Sequence, residues 1–465
     1  MQIFHSLYLR GRFCVRVFVF FLLCCGIVYN VVISTENFSC SWNVRGLLAI
    51  GVFIDFCLVI NETADGRMNK KNLAYEQDYK KMPKNISCPH FPLCSGCTLT
   101  MNVETPPIFD EAKAFFGERK ISKVSFYSDK VIGWRYRAKL AIRGTKKRPE
   151  IGLFKGGTHE VVPIPFCKVH HPKINRAVTL LRQWIIESEL SPYEEKDFTG
   201  VLRYAQFVVE RSSGKVQLTL VVNQTFSGDL VHWRALLAPL WNNYRDFFHS
   251  IWLNFNTSHQ NVIFSDAWHI VYGEEELWEN FDGVRVCFLP SSFAQANLDL
   301  FEQMLRSIQQ KVSINAYIAE FYAGVGVIGL FLANEQRKIV CCEIEGSGLH
   351  CFEKSRHFLS EAVQKRISFK VGSANDLLDM LNEADTVIVD PPRKGLDTRL
   401  LESLKKTQTV KKIVYVSCGW PSFKRDCDTL LKAGWELKEV EGYLLFPGSN
   451  HIEIVAVFDR CSLYE

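Results

Sequence analysis

The chain has 465 residues, of which 47% are hydrophobic and 23% charged, and its formal net charge at pH 7 is +5. This length predicts two or three domains rather than one simple core, and the mild basic charge permits an anionic partner such as nucleic acid without demanding one. The sixteen cysteines lack the even spacing of a short secreted framework, which argues against a disulfide scaffold and favours reduced thiols, some of them metal ligands.

The N-terminal 67 residues are unusually apolar. Residues 13–33 and 46–60 form two apolar runs, and Arg10 and Arg12 precede the first of them. This pattern is typical of a signal peptide or a short membrane anchor. We favour the competing interpretation, an extension unrelated to the fold, because everything downstream is typical of intracellular chemistry. A cytoplasmic protein is therefore expected.

A polar, charged linker (residues 61–85) and a cysteine-rich segment (87–99) precede a mostly β-type pattern that extends to about residue 290. Residues 201–209 and 216–222 flank a short polar turn, which predicts a β-hairpin, and a helix is predicted before it at 180–189. We expect residues 68–290 to form one region, separate from the strand–helix alternation that follows it.

After residue 290 the pattern alternates between strands and helices, which predicts a parallel, doubly wound α/β sheet with ligands at the carboxyl ends of its strands. This second domain is expected to span residues 291–465. Helices are predicted at 297–310 and 398–405, and strands at 316–322, 339–344, 367–371, 386–389, 412–417 and 452–458.

A glycine-rich turn (EFYAGVG, residues 320–326) follows the first strand of this domain, and Glu345 is predicted to end the second strand. Glycines allow a tight turn and a close approach of the backbone to a ligand, and an acid at the second strand end can bind the ribose hydroxyls of an adenosine cofactor. Gly329 stands at the offset of a third dinucleotide-binding glycine, so NAD remains a competing cofactor on this motif alone.

Asp390 begins a diproline motif, Asp-Pro-Pro-Arg, directly after the fourth predicted strand. The two prolines stiffen the backbone and would direct Asp390 into the cofactor crevice, although a rigid loop without chemistry is the competing interpretation. Amino-group methyltransferases favour a tyrosine after such a diproline, so Arg393 argues for a different acceptor.

Cys418 ends an apolar β-type run, and Glu453 lies 35 residues after it. A thiol at a strand tip with a carboxylate nearby suggests covalent catalysis, whereas most cysteines at strand ends are inert apolar filler. The chain therefore offers a candidate nucleophile whose role depends on the neighbouring motifs.

Three cysteines, Cys88, Cys94 and Cys97, lie within ten residues of each other, and Cys167 offers a distant fourth thiol. Four thiolates can hold zinc or an iron–sulfur cluster. Zinc sites usually combine two close pairs, so three clustered thiols plus one remote thiol favour a [4Fe–4S] cluster over zinc, and both over no metal. A strip of alternating cations and aromatics at 133–148 could contact phosphates and bases, or could be a solvated strand face.

In this order, these motifs resemble the RNA 5-methyluridine methyltransferases, in particular the bacterial 23S rRNA (uracil-5-)-methyltransferases, from Cys88 to about residue 460. The resemblance implies a C-terminal class I (Rossmann-like) methyltransferase domain and a central, mixed β-rich RNA-binding domain that carries a [4Fe–4S] cluster. It also implies that the chain transfers a methyl group from S-adenosylmethionine to carbon 5 of a uridine.

The resemblance assigns a role to each candidate residue. Cys418 matches the nucleophile and Glu453 the general base, the four cysteines named above match the cluster ligands, and the cofactor positions are Gln295, Tyr322, Glu345 and Asp390. The chain departs from the family pattern at Gly419-Trp420 after the cysteine and at Leu444, Gly448, Glu320 and Ala323. Because of these departures, the resemblance does not define the substrate pocket near Cys418. We expect a monomer acting on 23S rRNA, with a tRNA uracil-5-methyltransferase and a non-catalytic ribosome assembly factor as the alternatives.

Overall fold

The computed structural model describes residues 5–8, 14–19, 31–33, 85–121 and 123–460. Contacts divide the chain into two units, residues 1–80 and 81–465. In the first unit, strands β1 (His5–Tyr8) and β3 (Val31–Ile33) each pair antiparallel with β2 (Cys14–Val19). The rest of the predicted extension 1–67 lies outside the described residues. Within those residues, no helix has the length and apolarity needed to cross a bilayer.

Among its described residues, the second unit contains two large sheets and one two-stranded sheet. The first is a seven-stranded sheet in the order β11-β10-β9-β8-β5-β6-β7, in which only β9 and β10 run parallel. Its strands are β5 (Arg137–Thr145), β6 (Arg148–Phe154), β7 (Val161–Pro163), β8 (Leu202–Val209), β9 (Val216–Val222), β10 (Phe248–Phe255) and β11 (Trp268–Gly273).

The predicted hairpin is confirmed, because β8 and β9 pair antiparallel around residues 210–215. Alternate apolar residues of this sheet pack against helices α2 (Pro172–Ser188) and α3 (Val231–Tyr244). The predicted helix at 180–189 is the second half of α2. Side chains of a strand alternate between the two faces of the sheet, so this packing leaves the other face to polar residues such as Gln206 and Thr219.

The second sheet has eight strands in the order β16-β15-β14-β17-β18-β20-β19-β4. They are β4 (Val124–Tyr127), β14 (Tyr317–Phe321), β15 (Lys338–Glu343), β16 (Ile367–Val371), β17 (Thr386–Val389), β18 (Lys412–Ser417), β19 (Trp435–Tyr443) and β20 (Glu453–Arg460). All six strands predicted after residue 290 are present, with bounds shifted by at most two residues.

Helices cover both faces of this sheet. One face carries α1 (Pro107–Glu118), α8 (Thr398–Lys406) and α9 (Trp420–Lys432). The other carries α4 (Leu298–Lys311), α5 (Val327–Leu332), α6 (Ser347–Arg356) and the hairpin of β12 (Leu277–Phe281) and β13 (Val284–Phe288). Helix α7 (Glu361–Gln364) and a 3₁₀ helix (Leu378–Asn382) complete the connections. The sheet is therefore enclosed between two helical layers, as the doubly wound prediction requires.

Two features differ from the predicted parallel sheet. Strand β20 lies between β18 and β19 and is antiparallel to both, so the sheet is mixed. Helix α1 and strand β4 lie before residue 291, yet α1 packs in this core and β4 pairs with β19. These pairings join segments about 300 residues apart, and a local hydrophobic pattern carries no information on such contacts.

Candidate active site

Four side chains lie at the carboxyl ends of neighbouring strands in the eight-stranded sheet. Tyr322 follows β14, Glu343 is the last residue of β15, Asp390 follows β17, and Cys418 follows β18. Because parallel strands end at one edge of a sheet, the order β15-β14-β17-β18 places these residues side by side. The sequence-predicted edge therefore exists and carries the candidate residues.

Glu453 reaches the same edge from the opposite chain direction. It is the first residue of β20, and its neighbour Ile454 pairs with Ser417, the last residue of β18. The antiparallel pairing therefore brings Glu453 beside Cys418. The inverted strand, which the sequence pattern did not predict, is the reason that these two residues meet.

The glycine turn closes against Glu343. The Gly324 amide donates a hydrogen bond to Glu343 Oε2 at 2.9 Å, and the Ile344 amide donates to Oε1 at 2.8 Å. Gly324 and Gly326 adopt positive φ angles of 60° and 78°, which L side chains rarely adopt. A β-carbon on Gly348 would stand 2.3 Å from the Gly324 carbonyl oxygen. The turn is therefore held tightly to the end of β15.

The second strand ends at Glu343, one residue before the end of the predicted range 339–344 and two residues before Glu345. β15 stops at Glu343, and Glu345 lies beyond it as an exposed residue whose amide donates to Glu343 Oε1 at 3.1 Å. The prediction that Glu345 ends this strand was wrong, because the Ile344 and Glu345 amides donate to the Glu343 carboxylate and turn the chain out of the sheet. Glu343 is the acid that the structure places beside the glycine turn.

The other two predicted cofactor residues, Tyr322 and Gln295, lie in different parts of the structure. The Tyr322 hydroxyl accepts a hydrogen bond from the Asp397 amide at 3.0 Å, and Tyr322 itself has a φ of 62°. Gln295 is buried between β13 and α4 and borders a small cavity with Tyr136 and Arg137. Tyr322 therefore fastens the loop that begins at Asp390, whereas Gln295 lies between the seven-stranded sheet and the β12–β13 hairpin.

Three charged groups control the Cys418 thiol. Burial first, and then the charges of Glu453 and Asp390, raise the pKa of Cys418 to about 11, against the positive charge of Arg393, which lowers it. Burial also raises the pKa of Asp390 to about 7. The thiol therefore rests mainly in its protonated form, and Arg393 is the cation that favours the thiolate.

Glu453 is a buried carboxylic acid without a full set of partners. Its side chain is 3% exposed, and Oε1 has no hydrogen-bond partner. Burial first, and the charge of Asp390 second, raise its pKa well above the ordinary value, while Arg393 lowers it. An unpartnered buried oxygen is costly in a folded protein, and such costs are commonly retained where an atom must meet a substrate.

The residues that depart from the family pattern after Cys418 have packing roles. A β-carbon on Gly419 would stand 2.6 Å from the Arg393 carbonyl oxygen, so this position allows the two loops to touch. Trp420 begins α9, donates from Nε1 to Glu111 Oε1 at 2.7 Å and packs edge-on against Phe115. Leu444 is fully buried in the core. With these three residues in place, Cys418 and Glu453 still lie at the same edge of the sheet.

The four predicted metal ligands border a single cavity of about 120 Å³ next to the seven-stranded sheet. Burial first, and then the other three thiols, raise the pKa of Cys97 to about 12, against Arg135, which lowers it. Arg135 lines the same cavity and is therefore a cation beside these thiols. Among the described side chains, no three His, Cys, Asp or Glu residues are grouped closely enough to hold a single metal ion.

Three of the seven cations of the basic strip, all of them arginines, face inward rather than towards solvent. Arg135 borders the thiol cavity, Arg137 donates to the Ser292 carbonyl oxygen, and Arg143 is buried. The guanidinium of Arg143 lies 5.1 to 5.3 Å from the ring centres of three aromatics, Phe154, Tyr193 and Tyr204. The exposed cations of the strip lie mainly at the β5–β6 turn, namely Lys146, Lys147 and Arg148. Arg135, Arg137 and Arg143 make contacts within the protein. The sequence pattern could not separate these arginines from the exposed cations of the same strip.

The chain is similar to known RNA methyltransferases along most of its length. The family model for tRNA (uracil-5-)-methyltransferase matches residues 274–460. An RNA methyltransferase of Protochlamydia amoebophila is 50% identical over 378 residues, which cover 81% of this chain and 98% of that protein. One from Geobacter sulfurreducens is 29% identical over 80% of this chain and 76% of its own length.

A solved structure shows the same fold. The Pyrococcus abyssi tRNA (uracil-54, C5)-methyltransferase in complex with S-adenosyl-L-homocysteine has 26% identity and a TM-score of 0.65, over 79% of this chain and 86% of that one. The strand order and the glycine turn at the end of β14 are those expected of a class I methyltransferase domain, and these comparisons point to the same fold. The chain therefore belongs to the S-adenosylmethionine-dependent RNA 5-methyluridine methyltransferase family.

Proposed function

We propose that this chain methylates carbon 5 of a uridine in 23S rRNA, through a covalent adduct between Cys418 and carbon 6 of the uracil ring. The observation that carries the proposal is the pairing of β18 with β20, which brings the Cys418 thiol beside the buried Glu453 carboxyl group. A nucleophile and a base at one strand edge fit this reaction class.

The first step forms a bond between Cys418 Sγ and carbon 6 of the ring. Carbon 5 of uracil is a poor nucleophile, and addition of a thiolate to carbon 6 moves an electron pair into an enolate that can attack a methyl group. Arg393 supports this step, because its charge favours the Cys418 thiolate against burial and two carboxylates. S-adenosylmethionine supplies a sulfonium methyl group for this attack and leaves as S-adenosylhomocysteine.

The second step removes the carbon-5 proton and releases Cys418. Glu453 takes the proton, the electron pair re-forms the carbon 5–carbon 6 double bond, and the carbon 6–sulfur bond breaks to return the thiolate. A base with a raised pKa suits this step, because a carboxylate in an apolar site is a stronger base than one in water. The unpartnered Glu453 Oε1 is available for this proton.

We assign the cofactor contacts to three residues of this strand edge and to Gln295. Glu343, rather than Glu345, is the proposed partner of the ribose hydroxyls, because it ends β15 and is fixed by the Gly324 amide. Asp390 remains the proposed positioning group of the crevice, with Gln295 and Tyr322 as the other cofactor contacts. Tyr322 would act partly through Asp397, to which its hydroxyl is hydrogen-bonded.

We also propose that Cys88, Cys94, Cys97 and Cys167 hold a [4Fe–4S] cluster. The cavity between their thiols, about 120 Å³, suits a polynuclear cluster better than one ion, since four thiolates on a single zinc lie only about 2.3 Å from the metal. Arg135 would offset the negative charge of the thiolates. The methyl transfer moves no net electrons, so the cluster has a structural or RNA-positioning role in this proposal.

The RNA substrate is the part of the proposal that needs a direct experiment. Purified protein, S-adenosylmethionine and transcripts of 23S rRNA or tRNA are incubated, and 5-methyluridine is mapped by mass spectrometry. We expect methylation of 23S rRNA; methylation of tRNA alone would instead support the alternative suggested by the name of the archaeal protein.

The covalent mechanism has its own test on the same RNA. A 5-fluorouridine transcript should trap the intact protein, because fluorine leaves Glu453 no proton to remove, and Cys418→Ala should abolish both trapping and turnover. Turnover that survives in Cys418→Ala would overturn the mechanism. Cofactor binding with neither trapping nor turnover on any RNA would support the non-catalytic assembly factor.

A further inference from the structure

The thiol cavity and the general base are joined by one short loop. Residues 444–452 connect β19 to β20, and Glu453 is the first residue after this loop. The last pair of the β19–β20 ladder joins Tyr443 to Glu453. The position of the Glu453 carboxyl group therefore depends on how this loop is held.

The cysteine-rich segment holds the loop at Gly448. The amides of Thr98 and Leu99 both donate to the Gly448 carbonyl oxygen, at 2.9 and 3.0 Å. Gly448 has a φ of 91°, and a β-carbon on it would stand 3.1 Å from Cys97 Sγ and 3.3 Å from Ile86 Cδ1. Gly448 is one of the departures from the family pattern, and in this chain the missing side chain leaves room for the Cys97 thiol.

Aromatic packing strengthens the same contact. The Phe446 ring packs edge-on against Trp134, with ring centres 5.8 Å apart, and the Arg135 guanidinium lies 5.5 Å from the Phe446 ring centre. Trp134 belongs to a small core that Cys88, Cys97, Cys167 and Phe446 pack against. The four-cysteine region therefore contacts the loop in three ways: through the Thr98 and Leu99 amides, through the Cys97 thiol and through the Trp134 ring.

The same small core also reaches the cofactor side. Ala296, the residue after Gln295, is one of its members, and the Tyr136 amide donates to the Ala296 carbonyl oxygen at 2.8 Å. This small core thus contacts both the loop before Glu453 and the chain segment that contains Gln295. A change in the thiol region would be transmitted to both segments, because packed cores shift as units.

We propose that the four-cysteine region is a positioning device for the general base: metal-bound Cys97 and the Thr98 and Leu99 amides hold Gly448, and this contact sets the place of Glu453. The inference rests on the proposed function for the role of Glu453. Cys97 and Gly448 are positioning residues in it, and neither touches the reacting atoms.

The first test measures backbone amide hydrogen exchange of residues 444–453 in the metal-loaded protein. Gly448→Ala should accelerate this exchange about tenfold or more, because the new β-carbon would stand 3.1 Å from Cys97 Sγ and must push this contact apart by a few tenths of an ångström. The matched control is Gly228→Ala, which has a similar φ of 97° but no atom within 4 Å of its β-carbon. Iron removal from the unmodified chain with a chelator should accelerate the same peptide. Equal exchange in both variants would overturn the inference.

A second readout depends on the base alone. With an unmodified RNA transcript and S-adenosylmethionine, a displaced Glu453 should leave methylated, covalently bound RNA on the protein, because methyl transfer precedes removal of the proton. Gly448→Ala should accumulate this adduct as Glu453→Gln does, and Gly228→Ala should not. An adduct in Glu453→Gln but none in Gly448→Ala would overturn the positioning role and leave the proposed function intact.

The two proposals can thus fail separately. If Glu453→Gln forms no adduct on a competent RNA, the covalent mechanism fails, and the exchange experiment still decides whether the thiol region holds the loop. If Gly448→Ala does not fold, Phe446→Leu is the second variant, since it weakens packing against Trp134 without straining the backbone. It should accelerate exchange of 444–453 in the same direction, and unchanged exchange would count against the inference.

Discussion

Gly419 and Arg393 touch through their backbones. A β-carbon at Gly419 would stand 2.6 Å from the Arg393 carbonyl oxygen and 3.1 Å from its Cα atom. The Ser422 hydroxyl donates to the same carbonyl oxygen at 2.8 Å. The loop after β17, which carries Asp390, is therefore pressed against the loop that carries Cys418, and the charges of Asp390 and Arg393 reach the thiol because of this contact.

Gly419→Ala should separate these loops. The added methyl group has no space, so we expect a loss of stability of about 1–3 kcal/mol, as for other overpacked sites, and a fall in methyl transfer greater than the fall in cofactor affinity. The matched control is Gly156→Ala, whose β-carbon meets no atom within 4 Å. Chemical denaturation and single-turnover assays measure the two effects. Normal turnover in Gly419→Ala would contradict the role of the contact.

Removal of the Asp390 charge and removal of the Arg393 charge should change the reactivity of Cys418 in opposite directions. Its pKa is about 11, so the rate of alkylation by iodoacetamide should rise about tenfold per pH unit between pH 7 and 9, as the thiolate fraction does. Asp390→Asn removes a negative charge and should speed alkylation at pH 8, whereas Arg393→Gln should slow it.

Mass spectrometry of the Cys418 peptide follows this rate. Lys394→Gln is the matched control: it also removes a loop charge, but Lys394 is exposed and pairs with Asp397, so the Cys418 rate should hardly change. An alkylation rate that levels off below pH 8 would show that the thiol pKa is not raised in the resting protein.

Glu343 and Glu345 should differ in cofactor binding. Glu343→Gln should raise the dissociation constant of S-adenosylhomocysteine about 10- to 100-fold, because a hydrogen bond to a charged group contributes about 1.5–3 kcal/mol. Glu345→Gln, two residues further along in the exposed turn, should leave it unchanged. Isothermal titration calorimetry compares the two variants, and the opposite ranking would restore Glu345 as the ribose partner.

Glu320 should make stability depend on pH. Burial raises its pKa from 4.5 to about 7, so the folded chain favours the protonated acid, and the associated stability is lost as pH rises through 7. Glu320→Gln should therefore stabilise the protein at pH 9 by up to about 3 kcal/mol, at 1.36 kcal/mol per pKa unit. Urea unfolding at pH 5 should show no such gain. A gain of equal size at both pH values would exclude this cause.

The thiol cavity predicts a specific metal content. Protein purified without oxygen should contain about four iron and four sulfide ions per chain, as a [4Fe–4S] cluster requires. Cys97→Ala should lose most of this iron. Elemental analysis measures both samples; about one zinc per chain with no sulfide would favour the alternative that the cysteine spacing left open.

The local hydrophobic pattern was sufficient to predict the strands and helices after residue 290 and to identify most of the candidate site residues. The runs that predicted β16, β17 and β18 match their observed bounds, because apolar runs bounded by turn residues depend on short-range burial. The Asp390 motif and Cys418 were placed at strand ends for the same reason. The strand end at Glu343 was missed, since the element bounds are the least determined part of such a pattern.

What the residues alone determined was the chemistry: a thiol after a strand, an acid after a stiff loop and four cysteines in a three-plus-one spacing. Only the tertiary structure decided which of these groups meet. Glu453 lies beside Cys418 because β20 runs antiparallel between β18 and β19, and Cys97 reaches the loop before Glu453 because Gly448 leaves room for its thiol. Such contacts join segments from tens to hundreds of residues apart, and their free energy comes from packing that no local run of residues encodes.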